Sequence, residues 1–193
     1  FRRARPPARA RWDECMGRMV RVGVVGLHHE RVWRHVEDAC AMPYAEVVAG
    51  ADPDYQARRR FAEVSGLPEE ALYEEGRALL ADREVDAVIS GLPTNEHALL
   101  VELCAERNVA VMLEQPMAGS LDDVDRIVTA VQRTHVPFMV NFPRLWGRAV
   151  REAARMVMAG AVGHLIEVRY RVCEPRSGWR EDAEPFDKWL YDG

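Results

Sequence analysis

Short apolar runs alternate with amphipathic stretches along most of this chain. Val20–Val25 is rich in β-branched residues, carries no charge after Arg21, and runs into Gly26, Leu27, His28 and His29. A continuous apolar run this short predicts a strand covered on both faces. Glu30–Ala41 then places Val32, Val36 and Cys40 at every fourth position, which predicts a helix with one buried face, ended by Pro43. Ala45–Ala51 is a second buried strand closing on Asp52, and Pro53 predicts the first turn of a helix that stops near Gly66, Leu67 and Pro68. The same grammar continues with a short strand at Leu72–Tyr73, a helical turn over residues 77–81 and a strand over 85–90. After the loop 91–95, a helix is expected to bury Leu99, Leu100, Leu103 and Cys104, ahead of a strand over 109–113. Ser120 caps a last helix, striped by Leu121, Val124, Ile127, Val128 and Val131, and a sixth strand follows over 137–140.

Strands that are apolar throughout, each followed by a helix, call for a parallel sheet with helices on both faces. The fold class expected is α/β: a doubly wound parallel (Rossmann) sheet over residues 19–143. It is followed by the beginning of a second α+β domain over 144–193. In that second part, residues 144–159 read as one longer helix ending at Gly160. Residues 162–172 alternate, with Leu165, Glu167, Arg169 and Arg171 among apolar neighbours. Alternation means one wet face, as in an antiparallel sheet. The segment is too short to close a core, so a truncated domain is expected.

Composition narrows the function classes. At 193 residues, with 48% hydrophobic and 30% charged residues, the chain reads as a soluble globular protein. No apolar run approaches the roughly 20 residues that span a bilayer, so no membrane partner is expected. A net charge of −5 argues against general nucleic-acid binding. Arg2, Arg3, Arg5, Arg9 and Arg11 sit in an acid-free start interrupted by Pro6 and Pro7. Residues 1–18 are therefore read as a disordered or upstream extension, with Met16 or Met19 as the natural start. Cys15, Cys40, Cys104 and Cys173 show no C-x-x-C spacing, which points to reduced thiols and a cytoplasmic protein. No metal site is expected, because adjacent His28 and His29 point apart and no carboxylate has matching spacing.

In an open α/β sheet, ligands bind beyond the carboxyl ends of the strands, where strand order reverses. The residues at those ends here are Gly26–His29, Asp52, Leu92–Asn95, Glu114, Gln115 and Pro116, and Asn141–Arg144. A strand–turn–helix–strand unit closing on an acid is the outline of a nucleotide site, with phosphates at the helix start and ribose on Asp52. Such a carboxylate repels a 2′-phosphate and favours NAD; the alternative role for Asp52 is capping the next helix. Arg58, Arg59 and Arg60 keep NADP open. His28, His29 and Arg31 either donate to phosphate oxygens or merely cap and solvate the turn. His97 and Trp146 are candidates for substrate contact. The competing roles are helix-start packing for His97 and filling of an interdomain seam for Trp146.

With those residues in hand, the chain resembles the Gfo/Idh/MocA (glucose–fructose oxidoreductase / inositol dehydrogenase) family over about Val20 through Val172. The markers are the glycine turn at Gly26, the acid Asp52, the P-x-x-x-H stretch from Pro93 to His97, the E-K-P-like Glu114, Gln115 and Pro116, and the G-x-[IV]-G turn at Gly160, Ala161, Val162 and Gly163. The resemblance implies NAD(P)-dependent hydride transfer on a sugar- or inositol-like polyhydroxy substrate. It also implies a second domain that forms a homo-oligomer interface. Catalytic candidates are Gln115, Glu114 and Arg144; cofactor contacts fall to Gly26, Leu27, His28, His29, Asp52, Leu92, Pro93, Glu114 and Asn141. Three departures stand out. The phosphate loop G-x-G-x-x-G aligns as Gly26, His28 and Arg31. Gln115 replaces the family's lysine, and a glutamine amide keeps hydrogen bonds but has no proton to exchange near neutral pH. The family's Asp/His catalytic segment lies beyond Gly193. The alternative function is therefore a cofactor-binding sensor or structural relative without turnover.

Overall fold

A computed structural model of the chain describes residues 19–171, apart from the side chain of Arg144. The extension expected over residues 1–18, Cys15 and Cys173 lie outside the described residues. Cys40 and Cys104 are free thiols. No helix among the described residues is long and apolar enough to cross a membrane.

Six strands form one sheet: β1 (Val20–Val25), β2 (Ala45–Ala51), β3 (Leu72–Tyr73), β4 (Ala87–Ser90), β5 (Ala110–Glu114) and β6 (Phe138–Asn141), in the order β3-β2-β1-β4-β5-β6. The pairs β1/β2, β1/β4, β2/β3 and β4/β5 are all parallel. The chain thus builds outward from β1 to one edge, returns, and builds outward from β4 to the other. The reversal lies between β1 and β4, which is where the doubly wound fold opens its crevice.

The described helices are α1 (Glu30–Ala41), α2 (Tyr55–Ser65), α3 (Gly76–Asp82), α4 (His97–Glu106), α5 (Leu121–Thr134) and α6 (Arg148–Met158). Side chains alternate across a strand. Val24 accordingly enters the core with Val32, Val36 and Phe61 from α1 and α2, whereas Val25 enters the core with Leu79, Val101 and Ile127 from α3, α4 and α5. Both faces are covered, as the continuous apolar runs require.

Local chemistry sets the helix starts. His29 caps α1, its Nδ1 accepting from the Arg31 N–H; Asp54 caps α2 by accepting from the Gln56 N–H; Ser120 caps α5 by accepting from the Asp123 N–H. The helix expected to open at Pro53 instead opens at Tyr55, because Asp54, with its short acceptor side chain, takes the cap. Asp52 is therefore not the cap of α2. The apolar stripe of α5 is narrower than its sequence implies. Ile127 and Ala130 are buried, whereas Leu121 is 82% exposed and Val128 is also exposed, as is Leu99 on α4.

Contacts divide the chain into two units, one ending at Val140 and the other beginning at Asn141. In the second unit, the single helix expected over 144–159 is broken. A 3-10 turn at Pro143–Trp146 ends at Gly147, whose extended backbone (φ −57°, ψ 133°) caps α6. The strand expected over 162–172 does not form across residues 162–171, and Val172 lies outside the described residues. A strand exists only as a pairing, and no described strand pairs with this segment; Ile166 and Tyr170 are exposed.

Candidate functional site

The carboxyl ends of β1, β2 and β4 converge on a crevice of about 760 Å3, open solvent included, lined among others by Val25, Asp52, Glu74, Arg77, Leu92 and Leu99. The turns after β1 and β4 meet at two glycines. Gly26 adopts φ +83°, and a Cβ there would lie 2.4 Å from the Leu92 nitrogen; a Cβ on Gly91 would lie 2.4 Å from the Gly26 carbonyl oxygen. The turns after β1 and β4 therefore touch through backbone alone. The Gly26 N–H donates to the Ala51 carbonyl and the Gly91 N–H to the Val25 carbonyl, each at 2.8 Å.

Asp52, directly after β2, has a side chain only 1% exposed, and backbone N–H groups donate to it. Oδ2 accepts from the Leu27 N–H at 2.6 Å and Oδ1 accepts from the Asp54 N–H at 2.8 Å. His28 adds Nε2 at 3.2 Å from Oδ1, on a ring that is 61% exposed. The arginines that follow are committed locally. Arg58 donates to the carbonyls of Asp52 and Pro53, Arg59 lies 3.6 Å from Glu63, and Arg60 stacks over Trp33 at 4.1 Å.

Glu114, the last residue of β5, is buried at the neighbouring end of the sheet. His35 Nε2 lies 2.6 Å from its Oε1, and Arg31 reaches Oε2 at a looser 3.7 Å. Arg31 and His35 are four residues apart on α1, so one helix face presents both. Nothing in the sequence signals the His35–Glu114 pair, which joins α1 to the end of β5. His29 is buried as the α1 cap, and desolvation lowers its pKa against the opposing pull of Glu114. Gln115 is half-buried and precedes a cis peptide bond to the exposed Pro116.

His97 corrects the substrate-contact expectation. It is 1% exposed, with Nδ1 3.1 Å from the Met117 carbonyl and Nε2 3.0 Å from the Leu92 carbonyl. Both ring nitrogens are used to tie the loop after β4 to the loop after β5. Burial lowers the His97 pKa more than the surrounding carbonyls raise it. In the same β4 loop, Leu92 is half-buried, Pro93 is exposed, and Thr94 carries a buried hydroxyl with no hydrogen-bond partner among the described residues. Glu74 and Arg77 went unrecognised in the sequence, since nothing in their spacing ties them to a crevice built from separate strand ends.

Asn141, Arg144 and Trp146 belong to the second unit. There the Trp146 indole N–H donates to Asn141 Oδ1 at 3.0 Å. The Arg144 side chain falls outside the described part. Among the described residues, no group of His, Cys, Asp and Glu could hold a metal ion.

Comparison with known proteins agrees with this architecture. The family described as "Oxidoreductase family, NAD-binding Rossmann fold", the Gfo/Idh/MocA family, matches residues 20–142. A D-apiose dehydrogenase from Paraburkholderia graminis is 31% identical over 76% of this chain and 37% of its own length. An inositol 2-dehydrogenase from Rubrobacter xylanophilus is 32% identical over 84% of this chain and 42% of its own length. Among solved structures, a 3-ketoreductase from Actinomadura kijaniata in complex with NADP superposes with a TM-score of 0.63 at 28% identity, covering 75% of this chain and 45% of that one. The chain thus spans less than half the length of each of these relatives. The parallel sheet with its crevice at the reversal of strand order, together with a family match running the length of that sheet, makes the chain a member of the Gfo/Idh/MocA oxidoreductase family.

Proposed function

We propose that the protein is an NAD-dependent oxidoreductase that moves a hydride between the cofactor and a carbinol carbon of a sugar- or inositol-like substrate. The observation carrying this reading is the crevice at the reversal of strand order, with a buried carboxylate at the end of β2. The residues present fit a dinucleotide. The Asp52 carboxylate, an acceptor for ribose hydroxyls, lines the crevice beside apolar Val25, Leu92 and Leu99, which can pack against an adenine ring. Asp52 would hold the adenosine ribose. The first turn of α1, with Leu27 to His29 leading into it, would face the diphosphate. Leu92 and Pro93 would flank the middle of the cofactor, and Glu114 and Gln115 its reactive end. NAD is favoured over NADP because Asp52 is an acid and each of Arg58, Arg59 and Arg60 already has a local partner.

When bound, the nicotinamide supplies the hydride acceptor or donor. The chain's part is positioning. The Gln115 amide can hold a substrate hydroxyl by hydrogen bonds but cannot take its proton, so proton transfer falls to a group outside the crevice described above. A homo-oligomer formed through the second domain is part of the same reading and is supported by the family resemblance.

Titration of the full-length protein with NADH, read by its fluorescence, tests this directly; no change up to millimolar cofactor rejects it. Gln115 favours a second reading, a cofactor-binding relative without turnover. Gln115→Lys separates the two. A rise in turnover on a panel of sugars and inositols supports a catalytic site, whereas binding with no turnover in either form supports the second reading.

A further inference from the structure

The loops after β4 and β5 are held in unequal ways. The β4 loop supports itself: the Leu92 N–H donates to Ser90 Oγ at 3.3 Å and the Glu96 N–H to the Pro93 carbonyl at 3.0 Å. Among the described residues, the backbone of 115–119 makes no such bonds of its own; its hydrogen-bonding partner is the His97 ring, whose Nδ1 lies 3.1 Å from the Met117 carbonyl. Met117 and Ala118 also pack against the core, a contact that has no preferred direction. The Gln115 amide has no hydrogen bond among the described residues, so its place follows from that of the loop it shares with Met117. Both atoms facing the His97 nitrogens are carbonyl oxygens, which accept, so the ring acts on the loops as a donor. When the ring is lost, the β4 loop keeps its own bonds and the β5 loop keeps none.

We propose that His97 is a positioning residue: through the Met117 carbonyl it sets the β5 loop, and with it Gln115, against the reactive half of the cofactor. The inference rests on the dinucleotide reading above. The ring is 1% exposed, so it acts through the loop and not by contact with a ligand. The adenosine half lies instead against Asp52 and the crevice between the ends of β1, β2 and β4, where His97 holds nothing that the chain does not already hold. Loss of the tether therefore costs binding at one end of the dinucleotide and spares the other.

Isothermal titration of the full-length protein with NADH and with AMP, which carries the adenosine but no nicotinamide, tests this on wild type, His97→Ala, His97→Asn and His97→Gln. His97→Ala is expected to bind NADH about three- to tenfold more weakly, the worth of one hydrogen bond, and AMP as wild type does. An asparagine amide places its N–H donors near the position of Nδ1, and a glutamine amide near that of Nε2. His97→Asn, which reaches Met117, is therefore expected to bind NADH nearly as wild type, whereas His97→Gln, which reaches Leu92, behaves as His97→Ala. Where His97→Ala fails to fold, the asparagine and glutamine variants decide between themselves. NADH affinity unchanged in His97→Ala, equal losses of NADH and AMP affinity, or recovery in His97→Gln as full as in His97→Asn overturns the inference while leaving the dinucleotide reading intact. Failure of wild type to bind either ligand overturns both.

Discussion

Two glycines with nearly the same backbone conformation allow the packing between the β1 and β4 turns to be weighed apart from backbone strain. Gly26 has φ +83° and Gly66, at the end of α2, has φ +73°. Alanine at either position costs about 1–2 kcal/mol for holding an L-residue in the left-handed region. At Gly66 nothing lies within 4 Å of the new Cβ, so that cost is the whole effect. At Gly26 the Cβ would sit 2.4 Å from the Leu92 nitrogen and 2.6 Å from the Gly91 carbonyl carbon. These are backbone atoms that cannot rotate aside, so the two turns must part, adding about 1–3 kcal/mol of overpacking. Gly26→Ala should therefore cost about 2–5 kcal/mol, a large part of the roughly 5–15 kcal/mol that holds a domain folded. Urea unfolding followed by circular dichroism measures both variants, with the midpoint falling and the slope constant if the native state is otherwise unchanged. Equal destabilisation of Gly26→Ala and Gly66→Ala would refute the claim that the two turns touch through backbone alone.

Two further outcomes follow from the buried polar groups. Burial lowers the pKa of His29 and His97, so near and below the ordinary histidine value of about 6.5 the unfolded chain binds protons that the folded one does not. Their contribution to stability is present above that value and drains as pH falls through it; urea midpoints between neutral pH and about pH 5 should decline, less steeply in His97→Gln, and a flat wild-type profile counts against it. Thr94→Val replaces a buried hydroxyl that bonds to nothing described by a methyl of the same shape, so the melting temperature should hold or rise; a clear fall would assign that hydroxyl a structural partner instead.

Much of the first unit could be read from hydrophobic spacing, because a strand buried on both faces has few other ways to be written. Val20–Val25 and Ala45–Ala51 emerge with the bounds their apolar runs imply. Helix boundaries were less legible where two residues competed for the cap: Asp54 won the start of α2 over Pro53, and Gly147 split the last helix. The strand expected near residue 165 failed for a different reason, since alternation describes a face but does not supply a partner. In the site, Asp52 and Glu114 were visible as acids ending strands. What lies against them was not, because Leu27, His28, Arg31 and His35 reach them only once β2, β1, β4 and β5 are assembled in that order.

The broken glycine pattern becomes intelligible when the jobs of the missing glycines are taken separately. A third glycine ordinarily lets the helix approach the sheet closely. In this chain that place is Arg31, which points outward to solvent and Glu114, so it does not occupy the close contact at all. The close contact falls one residue later, where Val32 meets the β4 turn, and there the small residue sits on the opposite partner: a Cβ on Gly91 would lie 3.1 Å from the Val32 side chain. The second glycine ordinarily leaves room above the turn. His28 puts a largely exposed ring there, its Nε2 3.2 Å from Asp52 Oδ1. Both bulky residues thus reach toward an acid at the carboxyl ends of the strands, His28 toward Asp52 after β2 and Arg31 toward Glu114 of β5, so neither side chain is turned into the contact between the β1 and β4 turns.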